Sequence, residues 1–322
     1  MKRVFFLIFF SALFYSSCFS INFADLNFPS FGSYLNDQPP EIEEVNFYPE
    51  NPLPHQNVKI EVKVTVNPYR SPSYVKDVSV FYFTDKDRSF KKIDLKKCKD
   101  NKWRGELPGF PEDTTVEFFV YASDSFNNTA VELPNLVKNF PPSEEELIEV
   151  IKDYQDTERE NVDIVSGSVG YDGEKIYFKY EVKGKVRKGS SDTFAIHGYA
   201  VGIDNPDLKS EDHIRYGSEL SDYKTLAYIP FLSVCDFFEN LMQVLDFGKA
   251  KGKKIDSSLK EGKLYLSVDK KYFKKNPSNR LKIVYLALSI KNITDIENLD
   301  VEALDCSNFS NIYFRTHKFY IK

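Results

Sequence analysis

One stretch of the sequence concentrates groups that could do chemistry. "HGYAVGIDNPDLKSEDHIRYG", residues 197–217, carries His197 and His213 together with the carboxylates Asp204, Asp207, Glu211 and Asp212. Asn205-Pro206 opens a turn just after the first acid. Hard oxygen ligands on a turn suit calcium, which takes about six to eight oxygens. The spacing is not that of an EF-hand loop, which needs a glycine and a terminal glutamate at fixed positions. Two readings of Asp204, Asp207, Glu211 and Asp212 are therefore open, a calcium site or a solvated acidic loop. Zinc fits poorly, because His55, His197, His213 and His317 form no i, i+4 pair and no CxxC occurs.

Tyrosines cluster in the same region: Tyr199, Tyr216, Tyr223 and Tyr228. Sugars present apolar C–H faces that stack on such rings, while polar neighbours take the hydroxyls. These four with His197 form a candidate ligand-binding set, and the alternative is that they pack in a core or at its rim. Alternation within "FAIHGYAVGID" puts apolar residues on both faces, which describes a strand inside a sandwich with His197 at mid-strand. No G-x-S-x-G elbow, Walker loop or G-x-G-x-x-G is present. Acid pairs such as Asp204 and Asp207 would need a defined separation across a groove to hydrolyse a glycoside, and spacing alone does not supply one. The expectation is a binding protein, not an enzyme.

The flanking sequence says where such a site would work. Lys2 and Arg3 precede an uncharged apolar run from Val4 to Tyr15, then Ser16 and Ser17, the pattern of a secretory signal peptide over residues 1–20. The run is shorter than the roughly 20 residues of a membrane span. "YSSC" resembles a bacterial lipobox, which implies lipidation of Cys18 and a membrane tether through that residue alone; a plain cut after Ser17 or Ser20 is the alternative. The formal net charge of −5 gives no basic face for nucleic acid. Residues 21–39 read as a linker.

From residue 40 the pattern turns to strands. "VKIEVKVTV", "VKDVSVFYF" and "TTVEFFVYASD" alternate apolar and polar residues between turn signals, and the whole composition leans to β structure. "KWRGELPGF", with the strand ending Tyr121-Ala122-Ser123-Asp124, resembles a bacterial immunoglobulin-like or fibronectin-III-like module over residues 40–138. That resemblance implies a sandwich with Trp103 packed inside and an Asp-bearing bend closing the last hairpin. Ser143 and Glu146 form a capping box behind Pro141-Pro142, and Leu147, Ile148, Ile151 and Tyr154 follow at helical spacing, so residues 139–158 read as a helical connector.

Strand patterns resume over residues 159–322. "DGEKIYFKYEVKG" and "GYAVGIDNPD" resemble the DOMON-like family, the jelly-roll group of family-9 carbohydrate-binding modules and glucodextranase-type domains. The resemblance implies sugar, calcium or haem binding according to branch. Export would place the chain where disulfides persist, and Cys235 and Cys306 both lie in this region, so a bridge between them or two separate thiols are the alternatives. The chain as a whole reads as all-β, two β-sandwich domains joined by a short helix. The expected function is non-catalytic binding of a glycan at the cell envelope, with or without calcium. A structural or adhesive role towards envelope proteins is the alternative.

Overall fold

The computed structural model describes residues 39–66, 73–153, 160–186, 196–204, 230–235, 243–246, 253–254, 256–273, 278–291 and 300–322. The protein is all-β, as the alternating sequence requires. Among the described residues the strands form three sheets. The first joins β1 (Glu41–Tyr48), β2 (Val58–Thr65), β6 (Lys102–Leu107) and β5 (Lys96–Lys97) in that order. The second has the order β16 (Asp256–Lys260), β17 (Lys263–Asp269), β11 (Lys175–Val182), β10 (Ile164–Tyr171), β9 (Ile148–Lys152).

The third and largest sheet has twelve strands. From one edge it runs β15 (Lys253–Lys254), β14 (Gln243–Asp246), β13 (Pro230–Cys235), β12 (Ile196–Asp204), β18 (Arg280–Lys291) and β20 (Ser310–Tyr313). It continues through β8 (Thr129–Glu132), β7 (Thr114–Asp124), β3 (Val75–Thr84) and β4 (Lys91–Asp94). β19 (Asp300–Cys306) pairs β18, and β21 (His317–Ile321) pairs β7.

Two hydrophobic cores lie on opposite faces of this shared sheet. Phe118, Val120 and Ala130 pack with Val58, Ile60, Val62 and Trp103 from the first sheet. Their neighbours Phe119 and Val131 pack the other way, with Val150, Ile151, Phe178 and Tyr285. Side chains alternate along a strand, so a strand covered on both sides must be apolar without interruption. "FFVYA", Phe118 to Ala122 in β7, meets that demand. Trp103 is buried as expected, and Asp124 organises the β7–β8 bend by accepting the N–H groups of Phe126 and Asn128, both at 2.9 Å.

The final segment forms two strands of the shared sheet: β20 pairs β8 in parallel, and β21 adds to β7 antiparallel, Phe319 opposite Val116. The shared sheet therefore runs through the expected division between residues 40–138 and 159–322. The described residues 139–153 of the expected helical connector form no α-helix. The capping box forms, with Ser143 N–H donating to Glu146 Oε2 at 2.9 Å, but it caps a single 3₁₀ turn, Glu144–Glu146. The chain then extends as β9, because Ile148, Val150 and Ile151 are β-branched and the edge of β10 offers backbone partners, the register shifting once at Val150. Val150 and Ile151 are buried by that pairing.

Candidate functional site

β12 carries the residues that sequence analysis placed at the site, and its register shows what they do. Tyr199 stands opposite Ala287 of β18 and is only 1% exposed. The small alanine side chain leaves room for the ring. Its hydroxyl donates to Asn161 O at 2.7 Å, and its ring meets Tyr180 edge-on at 6.0 Å. Tyr180 in turn packs on Tyr285 at 4.7 Å, whose hydroxyl donates to Ser168 O at 2.8 Å. Tyr285 lies so close to the Gly167 backbone that a Cβ there would fall 2.5 Å from its ring. Complete burial pushes the Tyr285 hydroxyl well above the usual phenol range. Tyr199 thus belongs to a buried tyrosine cluster and is withdrawn from the ligand-stacking set. The apolar residues on both faces of "FAIHGYAVGID" were the signal for this.

His197 stands opposite Ser289, and Asp204, the last residue of β12, opposite Lys282. Asp207, Glu211, Asp212, Tyr216, Tyr223 and Tyr228 lie outside the described residues, as does Cys18. The strand order separates the two cysteines expected to bridge. Cys235 of β13 is opposite Gly198, Gly198 is opposite Leu288, and Cys306 of β19 is opposite Leu286. Three strand spacings, about 14 Å, lie between them, whereas a disulfide spans Cα atoms up to about 7 Å apart.

Polar centres that sequence analysis missed occupy the joint. Glu132, fully buried at the end of β8, accepts Val120 N–H at 3.0 Å and Arg315 Nε–H at 2.6 Å. His317 places Nε2 3.2 and 3.1 Å from its two oxygens and stacks on Phe118 at 5.0 Å. Arg315 also donates to Ile42 O at 3.0 Å, which ties β1 to the same knot. Beside it, Thr129 donates to Val150 O at 2.6 Å, linking β8 to β9. Arg315 and His317 lie 183 and 185 positions from Glu132, so no local spacing could have revealed the centre.

On the outer face of the second sheet, Glu144 gathers Lys179, Lys263 at 3.0 Å and Tyr265. Burial raises the Glu144 carboxyl, but hydrogen bonds from Lys179 and Lys263 outweigh it and hold the group below the usual carboxylate range. A shallow groove lined by Val45, Phe47, Glu50, Asn51 and Lys318 runs beside β1, next to the exposed Tyr48. Among the described residues no group of three or more His, Cys, Asp and Glu side chains is arranged to hold a metal ion. No helix among them is long and apolar enough to cross a membrane.

No protein-family model matches the sequence, and no curated protein matches it. Solved structures give faint likenesses. A cycloalternan-degrading enzyme from Trueperella pyogenes aligns at 10% identity and TM-score 0.21, covering 85% of this chain and 32% of its own. A DUF4785-family protein from Legionella pneumophila aligns at 9% identity and TM-score 0.18, covering 81% of this chain and 54% of its own. The adhesin InvE of Yersinia pseudotuberculosis aligns at 11% identity and TM-score 0.17, covering 84% and 58%. The chain thus spans about a third to three-fifths of these proteins, and TM-scores of this size carry no weight for fold or function.

Proposed function

We propose that the protein is an exported, non-catalytic binding protein of the cell envelope that engages a glycan through the connection between β12 and β13. One observation carries this reading. β12 and β13 are antiparallel neighbours, with Tyr199 opposite Val234. Such a pair needs only about 2–5 connecting residues, yet residues 205–229 intervene. A sequence insertion of this length between paired strands is a common place for binding residues. This one holds Tyr216, Tyr223 and Tyr228 for stacking on sugar faces, and Asp207, Glu211 and Asp212 for hydroxyls or for a calcium ion. The signal-peptide pattern of residues 1–20 supports export.

The reading is tested by presenting the purified mature protein to a glycan array with and without calcium. Binding to a defined glycan class, reduced at least about tenfold by combined Tyr216→Ala, Tyr223→Ala and Tyr228→Ala, is the expected result; each lost stacking contact is worth roughly 0.5–1.5 kcal/mol beyond the area it buries. Failure on every glycan, with recovery of an envelope protein by crosslinking on intact cells, would replace the glycan by a protein partner.

A further inference from the structure

One edge of the first sandwich is closed by a single segment that changes sheets. β4 pairs β3 as far as Asp94, Leu95 N–H donates to Val78 O at 2.8 Å, and the chain then joins β6 as β5. β4 and β5 are the outermost strands of their sheets on this side. Residues 85–104 hold nine basic and four acidic residues, although the whole chain has a formal net charge of −5. Lys91, Lys92, Lys96, Lys97 and Lys99 are all exposed. Neighbours along a strand point to opposite sides, and Lys96 and Lys97 both reach solvent because β5 is an edge.

The nearby acids are engaged by other bases. Asp87 pairs with Lys91 at 3.0 Å, Asp94 with Lys92 at 2.8 Å, and Glu61 with Lys102 and Arg104 at 2.6 and 2.5 Å. Among the described residues Lys96, Lys97 and Lys99 have no ion pair. Lys97 lies instead over the Trp103 ring, 5.9 Å from its centroid. The register adds a like-charge pair, since Lys96 stands directly opposite Arg104. Such pairs are unfavourable, and Glu61 meets Arg104 from the β2 side, which leaves Lys96 uncompensated. Lysine on an open edge keeps other strands away. That role asks nothing of Lys99, which lies past the end of β5, nor of Arg104 across the ladder. An anion seated along the edge relieves the repulsion and engages all of these cations.

We infer that this edge is a second binding surface, and that its ligand is an acidic polysaccharide. From Lys91 to Lys99 the extended chain spans roughly 26 Å, so a linear polymer meets the five lysines in turn where a compact anion reaches only one or two. A sparsely charged polymer fits better than nucleic acid, which carries one charge per about 1.7 Å of duplex. Outside residues 85–104 the chain has ten more acids than bases, and that excess repels a dense polyanion most. A lipid surface fits less well, because none of the large apolar side chains exposed among the described residues belongs to this segment. Tyr48 and Tyr320 stand on β1 and β21, at the opposite edge. The surface lies on the first sandwich and does not depend on the connection between β12 and β13.

The test titrates the full mature protein with polygalacturonate, and with neutral dextran, phosphatidylglycerol vesicles and duplex DNA for comparison. Saturable binding to polygalacturonate is expected, weakened at least about tenfold between about 50 and 200 mM salt by counterion release. Combined Lys96→Gln, Lys97→Gln, Lys99→Gln should weaken it by at least about tenfold with Tm unchanged, because all three side chains are exposed. Should the Lys97 change loosen Trp103 and lower Tm, the Lys96→Gln, Lys99→Gln protein is read in the same way. Combined Lys138→Gln, Lys260→Gln, Lys318→Gln removes the same charge from other exposed positions and should leave the affinity unchanged. Combined Tyr216→Ala, Tyr223→Ala, Tyr228→Ala should leave it unchanged too, which separates this surface from the glycan site proposed above. Absence of binding, equal loss in the two lysine sets, loss in the tyrosine set, or tighter binding to vesicles or DNA than to polygalacturonate overturns the inference.

Discussion

Glu132 and Asp163 are both fully buried carboxylates, and they are treated in opposite ways. Glu132 receives a backbone N–H, a guanidinium and an imidazole, two of them from residues 183 and 185 positions further along the chain. Asp163 receives nothing. A buried charge is tolerable only when its partners are supplied, and at Glu132 the chain supplies them itself once β20 and β21 have returned to the first sandwich. The knot therefore makes closure of the shared sheet a condition for satisfying Glu132, which favours this arrangement of strands over others in which the C-terminus docks elsewhere.

The largest expected effect breaks the self-sufficient side of the comparison. Glu132→Ala leaves Arg315 and Val120 N–H facing an empty space and should lower stability by about 3–5 kcal/mol, measured by guanidinium unfolding. Arg315→Lys keeps the charge but loses the fork that reaches Glu132 and Ile42 O together, and about 1–2 kcal/mol should go with it. If either change is neutral, the joint is not held by this knot. Asp163→Asn gives the contrast: it removes a buried carboxylate without hydrogen-bond partners, so stability should stay level or rise by up to about 1 kcal/mol. A loss as large as that of Glu132→Ala would erase the difference between the two sites.

Much of the fold was legible because strands advertise themselves by period. "VKIEVKVT" buries every second residue, and Trp103 and Asp124 take the places their motifs implied. The helix after Ser143 was misread because a capping box is local, whereas the choice between helix and strand for "LIEVI" was made by the open edge of β10. Tyr199 was misplaced because a tyrosine on a two-faced strand reads as a platform until Ala287 and Tyr180 are seen around it. Glu132 and Asp163 were invisible for a plainer reason. Their neighbours, Arg315, His317 and Asp305, lie more than 140 residues away, and nothing in sequence spacing joins them.

The smallest expected effect belongs to acids that are satisfied at the surface, the third way this chain treats a carboxylate. Glu144 and Glu181 are raised by burial but lowered further by Lys179 and Lys263, and Asp172 is lowered by the N–H groups of Lys175 and Glu174 and the Tyr177 hydroxyl against the same opposing burial. Each folded pKa therefore lies below its unfolded value, about 4.3 for Glu and 3.9 for Asp. The stability these groups contribute is complete above that range and is lost as pH falls through the depressed folded values. Glu144 and Lys263 are partly open to solvent, so each pair is discounted to at most about 0.5–1 kcal/mol. Urea midpoints should accordingly be flat from about pH 6 to 5 and fall below about pH 4. Salt near 0.5 M should shrink the fall, since exposed pairs are screened. Glu144→Gln should flatten the profile, because it removes the acid that both Lys179 and Lys263 reach. A midpoint that climbs as pH drops would mean that this surface network does not set the acid limb.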